Sequence, residues 1–255
     1  MDNPSKSANQ LLTELGWTQP SDITIEEMAW YLGLIVKFKR MDGAQGRILM
    51  TNSEGIVAVN NSITYQPKIN YIIAHEIGHF RLHRHMQSAF NDSDKTLAEW
   101  YITGPQEAEA NQFATELLMP SQTFIKKVQK QKLCLPLIEE VAEYFGASKT
   151  AAFLRYRDLG SFPVMIIFIE DGIIKWKSHS KDFPLTWIEP KAKVPAWTVA
   201  GDYFYKQVRE EKPVKVDALE WFPADHRIKY NLKMKLWEQC FPVTESAILT
   251  CLWTA

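Results

Sequence analysis

Runs of apolar residues at helical spacing dominate the first 160 positions of this chain, interrupted by three strand-like runs between 34 and 60, and runs with strand character fill much of the rest. Residues 5–16 and 22–32 read as short helices. In "SDITIEEMAWYLG", Ser21 or Asp22 can cap the second of them and Gly33 stops it. "LIVKFK" (34–39), "GRILMT" (46–51) and "GIVAVN" (55–60) predict three strands separated by "DGAQ" and "NSE" turns. A long helix follows from about Gln66 to His83, and another from about Pro105 to Met119. Pro120 disfavours helical geometry at the residue before it, and a third helix begins after Ser121. Residues 135–160, "LPLIEEVAEYFGASKTAAFLRYRDLG", form two amphipathic helices around "GAS" and resemble a helix-turn-helix, although a plain packing hairpin has the same pattern. From Phe162 the character changes. "VMIIFIE-DG-IIKWK" predicts a hairpin with an Asp171-Gly172 turn, and "KVPAWTV", "KVDALEW" and "SAILTCLW" read as further strands. The expected class is α+β. A small sheet with helices occupies residues 1–125, a helical segment 126–160, and a β-rich module 161–255.

Composition narrows the class. The 255 residues hold 29 Lys and Arg against 30 Asp and Glu, a formal charge of −1, which gives no sign of a basic nucleic-acid surface. The three cysteines, Cys134, Cys240 and Cys251, are odd in number and far apart, so neither a disulfide framework nor a zinc-finger spacing is expected. The opening "MDNPSKSANQ" lacks the apolar core of a signal peptide, and no run of about 18 apolar residues occurs. A cytoplasmic protein with no membrane partner is expected.

One helical stretch carries candidate chemistry. In "YIIAHEIGHF" (71–80), His75 and His79 are four apart and share a helix face, so both imidazoles can grip one metal ion. Glu76 lies about 100° round the helix, beside that ion without needing to ligate it. This is the zincin arrangement, two histidines for Zn²⁺ and a carboxylate to take a proton from water. Gly78 costs about 1 kcal/mol against alanine in a helix interior, which suggests close backbone approach there.

A third ligand can be sought by geometry. His85 stands where metzincins place a third histidine, but Leu82 occupies the position of their turning glycine. In "PQEAEANQFATELLMP", Ala110, Phe113, Ala114, Leu117 and Leu118 form one apolar face. Extending that face back one turn lands on Gln106 and Glu107, whereas Glu109 lies about 200° from Glu107 and points outward. An inward Glu107 needs a positive partner, and Zn²⁺ would be one. The helix dipole alone could also favour a glutamate there. Asn111, one turn on, could hydrogen-bond a ligating histidine. Tyr101, His83 and His85 are candidates for a second oxyanion donor.

"AHEIGHFRLH" followed by "EAEANQFATELLMP" resembles the ImmA/IrrE family of zinc metallopeptidases, and the likeness extends upstream through "LGLIVKFKRMDGAQGRILM" to cover about residues 10–125. The resemblance implies a zincin-like domain with His75, His79 and Glu107 as zinc ligands and Glu76 as the catalytic glutamate. It also implies a helical segment after "LLMP" and, in some members, a GAF-like C-terminal domain. The implied substrate is a helix-turn-helix repressor, cut in a stress, mobile-element or defence response. An activating ligand or nucleic acid would then act at the C-terminal module.

Two other functions fit part of the pattern. One is a metal-stabilised antirepressor that binds without cutting. The other is a DNA-binding regulator acting through 135–160, where Lys149, Arg155 and Arg157 would meet phosphates but Glu139, Glu140 and Glu143 oppose them. Cys134 is a candidate for a thiolate that occupies the metal at rest.

Overall fold

The computed structural model describes residues 3–51, 53–87 and 104–254. Pro4 opens helix α1 (Pro4–Glu14), where its missing N–H is one no helix would pair, and Asn3 caps it by accepting from the Lys6 N–H. Helix α2 (Ile25–Tyr31) starts later than its sequence suggested. Thr24 accepts from the Glu27 N–H while the Glu27 carboxylate accepts from the Thr24 N–H, a reciprocal cap that neither Ser21 nor Asp22 can match. Asp22 instead closes the preceding turn by accepting from the Thr18 and Gln19 N–H groups.

Strands β1 (Leu34–Lys39), β2 (Gly46–Met50) and β3 (Gly55–Asn60) form a sheet of order β1-β3-β2, with β1 parallel and β2 antiparallel to the central β3. Val57, Ala58 and Val59 of β3 are buried, as a central strand requires. Helix α3 (Gln66–Gln87) runs a turn past the expected His83, and α4 (Pro105–Leu118) matches its expected span. Leu11, Leu34, Val57, Ile73, Ile77, Phe80, Phe113 and Leu117 build the core between sheet and helices.

The close approach expected at Gly78 is real. A Cβ there would stand 3.2 Å from Cα and O of Ala110 and from Cδ1 of Phe113, so glycine lets α3 lie against α4. The chain then continues through α5 (Ser121–Val128), α6 (Leu135–Phe145) and α7 (Lys149–Leu159). Gly146 ends α6 at a φ of 59°, and the Ala147 N–H bonds back to the Ala142 carbonyl, the usual glycine closure of a helix.

The chain packs as two units, Met1–Phe124 with Glu140–Ser148, and Ile125–Glu139 with Lys149–Ala255. The helical stretch 126–160 is thus shared between them. In the second unit, β4 (Val164–Glu170), β5 (Ile173–His179), β6 (Val214–Asp217), β7 (Lys235–Pro242) and β8 (Ala247–Thr254) form an antiparallel sheet of order β5-β4-β8-β7-β6. Asp171 and Gly172 both have positive φ, 52° and 72°, as a two-residue hairpin turn demands. Strand β8 has neighbours on both sides and is buried along Ala247–Trp253, which explains its unbroken apolar run. Helices α8 (Val199–Lys206) and α9 (Ala218–Trp221) complete this unit, and its core includes Ile167, Phe183, Trp221, Phe222 and Leu252.

Two strand expectations fail here. "KVPAWTV" makes only an isolated bridge, Lys193 with Ile173, before Thr198 caps α8 by accepting from the Gly201 N–H. Pro195 has no N–H to give a ladder. "KVDALEW" is a strand only as far as Asp217 and then turns into α9. Among the described residues no helix is long and apolar enough to cross a membrane.

Candidate metal centre

Helix α3 sets Tyr71, His75, His79 and His83 at four-residue intervals, and α4 sets Glu107 and Asn111 at the same interval. Because Gly78 lets the helices approach, these two rows meet. His75 Nε2 lies 3.0 Å from His79 Nε2, and the Glu107 carboxylate reaches both rings, Oε2 to His75 and Oε1 to His79, each at 3.1 Å. The donor atoms of His75, His79 and Glu107 lie within 4.8 Å of one another, a cluster that could hold a metal ion.

The cluster is shielded and held from behind. Asn111 Oδ1 lies 3.0 Å from His75 Nδ1 and accepts from the Tyr71 hydroxyl at 2.6 Å. Asn111 therefore stands where it was expected, against a histidine of the cluster. Burial, helped by His75 and His83, holds His79 neutral by pulling its pKa down to about 3. Where no ring hydrogen lies between them, three groups presenting lone pairs at these distances repel one another, and a cation among them would relieve that. Two imidazole nitrogens and one carboxylate are also a donor set that zinc accepts.

Glu76 is buried next to the cluster. Burial first, and then the Glu107 charge, push its pKa up to about 8, against the opposing pull of Arg47 and of the Ile48 N–H that it accepts. Its carboxylate also lies beside β2: a Cβ on Gly46 would stand 3.1 Å from Glu76 Oε1 and would collide with Ile72. Glycine at the start of β2 is what lets strand and carboxylate share this space.

Other candidates lie elsewhere. His85 is exposed on α3, where Arg84 donates to its Nε2, and it is no member of the cluster. Tyr101 falls outside the described residues. His83 is buried, and its Nε2 lies 2.9 Å from Glu109 Oε2. Glu109 thus does not simply face outward as its helical angle suggested. The pair could have been noticed from the four-residue step between His79 and His83.

A family model described as the IrrE N-terminal-like domain, of the M78 peptidases, matches residues 29–157. Comparison with curated proteins gives no match. Among solved structures, a Mycobacterium tuberculosis transcriptional regulator superposes with a TM-score of 0.63 at 16% identity, over 100% of this chain and 76% of that one. At that identity the likeness is one of fold.

Proposed function

Starting from the chain's membership of the IrrE N-terminal-like family of peptidases, we propose that it is a zinc-dependent endopeptidase making limited cuts in a helix-turn-helix repressor. The observation that carries the reading is the meeting of His75, His79 and Glu107 with Glu76 buried beside them. His75, His79 and Glu107 would hold the metal, the three protein ligands typical of a catalytic zinc site. When bound, Zn²⁺ supplies Lewis acidity, polarising a peptide carbonyl and making water easier to deprotonate.

The chain's own groups do the rest. A metal ion beside Glu76 would offset the Glu107 charge and favour its ionised form, which takes a proton from the attacking water and hands it to the leaving amine. Asn111 fixes the His75 ring, and the Ile48 N–H and Arg47 act on the Glu76 carboxylate from β2. Among the described residues, strand β2 pairs only with β3. Its other edge, beside Glu76, suits an extended substrate segment added through main-chain hydrogen bonds. A folded protein offers such a segment only where it can open, which favours few cuts over general digestion. The substrate class rests on the ImmA/IrrE resemblance, as does work in the cytoplasm during a stress, mobile-element or defence response. The second unit would sense a ligand or nucleic acid, or dock a partner.

The DNA-binding reading finds little support. Arg155 is only 9% exposed, Lys149 pairs with Glu139, and Arg157 is engaged by Asp158 and the Ser178 hydroxyl. The test is digestion of a genetically neighbouring helix-turn-helix repressor and of casein by the zinc-loaded chain, with cut sites mapped by mass spectrometry. One or a few cuts in the repressor are expected. Glu76→Gln should lower the rate by at least the ~10²–10⁴-fold that a general base contributes, with zinc retained. Rapid many-site digestion of casein with the repressor intact would overturn the proposal.

A further inference from the structure

His83 and Glu109 lie outside the ligand cluster yet are joined to it through His79. His79 Nδ1 stands 3.1 Å from His83 Nδ1, and His83 Nε2 stands 2.9 Å from Glu109 Oε2. His83 is 2% exposed, so water does not compete for these contacts. An ionised carboxylate only accepts, so His83 Nε2 carries a hydrogen. With the ring neutral, His83 Nδ1 is then bare and can only accept. The hydrogen in the 3.1 Å contact therefore belongs to His79 Nδ1. That leaves His79 Nε2 bare, and it is Nε2 that faces Glu107 and His75. With both rings neutral and Glu109 ionised, no other placement satisfies both contacts.

We infer that Glu109 and His83 are positioning residues that lock His79 in its Nδ1–H tautomer, keeping Nε2 available to a metal ion. The inference rests on the ligand set proposed above. The two histidines of that set are backed differently. His75 Nδ1 meets a neutral amide oxygen that it shares with Tyr71, whereas His79 is backed through His83 by a carboxylate. Hydrogen bonds of this kind orient a ligating imidazole and raise its basicity.

The test is Zn²⁺ affinity of the full chain, measured by competition with a chelating dye. The variants are His83→Leu, His83→Asn, Glu109→Ala and, as control, Glu107→Ala. His83→Leu and Glu109→Ala should each weaken binding about 10–100-fold. His83→Asn should bind more tightly than His83→Leu, because its Oδ1 can replace Nδ1 as the acceptor for His79; a purely space-filling role would not produce that difference. If His83→Leu and Glu109→Ala bind zinc like the unaltered chain while Glu107→Ala releases it, the relay is wrong and the ligand set stands. If Glu107→Ala keeps full affinity, the ligand set is wrong and the relay falls with it. A long-range ¹H–¹⁵N spectrum of the unaltered chain needs no substitution. It should place the His79 hydrogen on Nδ1, and a hydrogen on Nε2, or on both nitrogens of His83, would overturn the inference.

Discussion

Buried acids separate into two kinds at the scale of single residues. Glu116 accepts from Asn9 and from both the N–H and hydroxyl of Ser121, and Asp225 accepts from Thr186, Trp187 and Arg227. Glu238 accepts from the Ala200 N–H at 2.8 Å and from Trp221 Nε1 at 3.0 Å. These acids are built into the fold by donors. Glu76 has the Ile48 N–H and a nearby anion, and its pKa is raised furthest of the buried carboxyls with a resolved shift. Glu238 offers a pH test. Burial raises it to about 6, despite its donors, from an ordinary 4.5. The folded state therefore holds more protons than the unfolded chain between those values, so this group's contribution falls as pH rises through that window and is constant outside it. The swing is roughly 2 kcal/mol. Thermal unfolding between pH 4 and 7 should show it in the unaltered chain and lose it in Glu238→Gln, which should also be less stable because an amide cannot accept from both donors. Parallel pH profiles for the two proteins would refute this. At this scale the sequence was informative where periodicity speaks. His75, His79, Glu107 and Asn111 all lie on predictable helix faces, and they do come together. Glu109 was not legible, because a helical angle gives direction within one helix and ignores a histidine that comes to meet it from another.

At the scale of elements, everything in the site depends on α3 lying against α4, and Gly78 is where they touch. A larger residue there has backbone of Ala110 at 3.2 Å and must push the helices apart. Gly78→Val should cost about 1–3 kcal/mol by overpacking and should weaken zinc binding as well, since two of the proposed ligands sit on α3 and the third on α4. A Gly78→Val protein with unchanged melting temperature and zinc affinity would show that the contact is soft. Helices and the first three strands were legible because they carry strong periodic or β-branched runs. Strand β7 was not, since "KLWEQCFP" places Glu238 and Gln239 inside a buried strand where an apolar pair would be expected. "KVPAWTV" misled in the opposite sense. Its β-branched residues suggested a strand, and the proline and the Thr198 cap decided otherwise.

For the molecule as a whole, the change of pattern near Phe162 marks where the second sheet begins and does not divide the packing. Phe153 of α7 packs in a tilted arrangement against Phe241 of β7 at 4.8 Å between ring centroids, and Tyr156 donates to the Gln131 carbonyl within the same unit. A chain cut after residue 160 would strip β4 to β8 from that buried face. The 1–160 fragment should bind a hydrophobic dye and melt at a lower temperature than the full chain; a dye-free fragment with the full chain's melting temperature would contradict the division into units. The proposed peptidase activity, in turn, requires the metal. Zinc content of the purified full chain, measured by plasma mass spectrometry alongside Glu107→Ala and His85→Ala, tests it most directly. One zinc per chain, kept by His85→Ala and lost by Glu107→Ala, is the predicted result. Zinc kept by Glu107→Ala and lost by His85→Ala would contradict it.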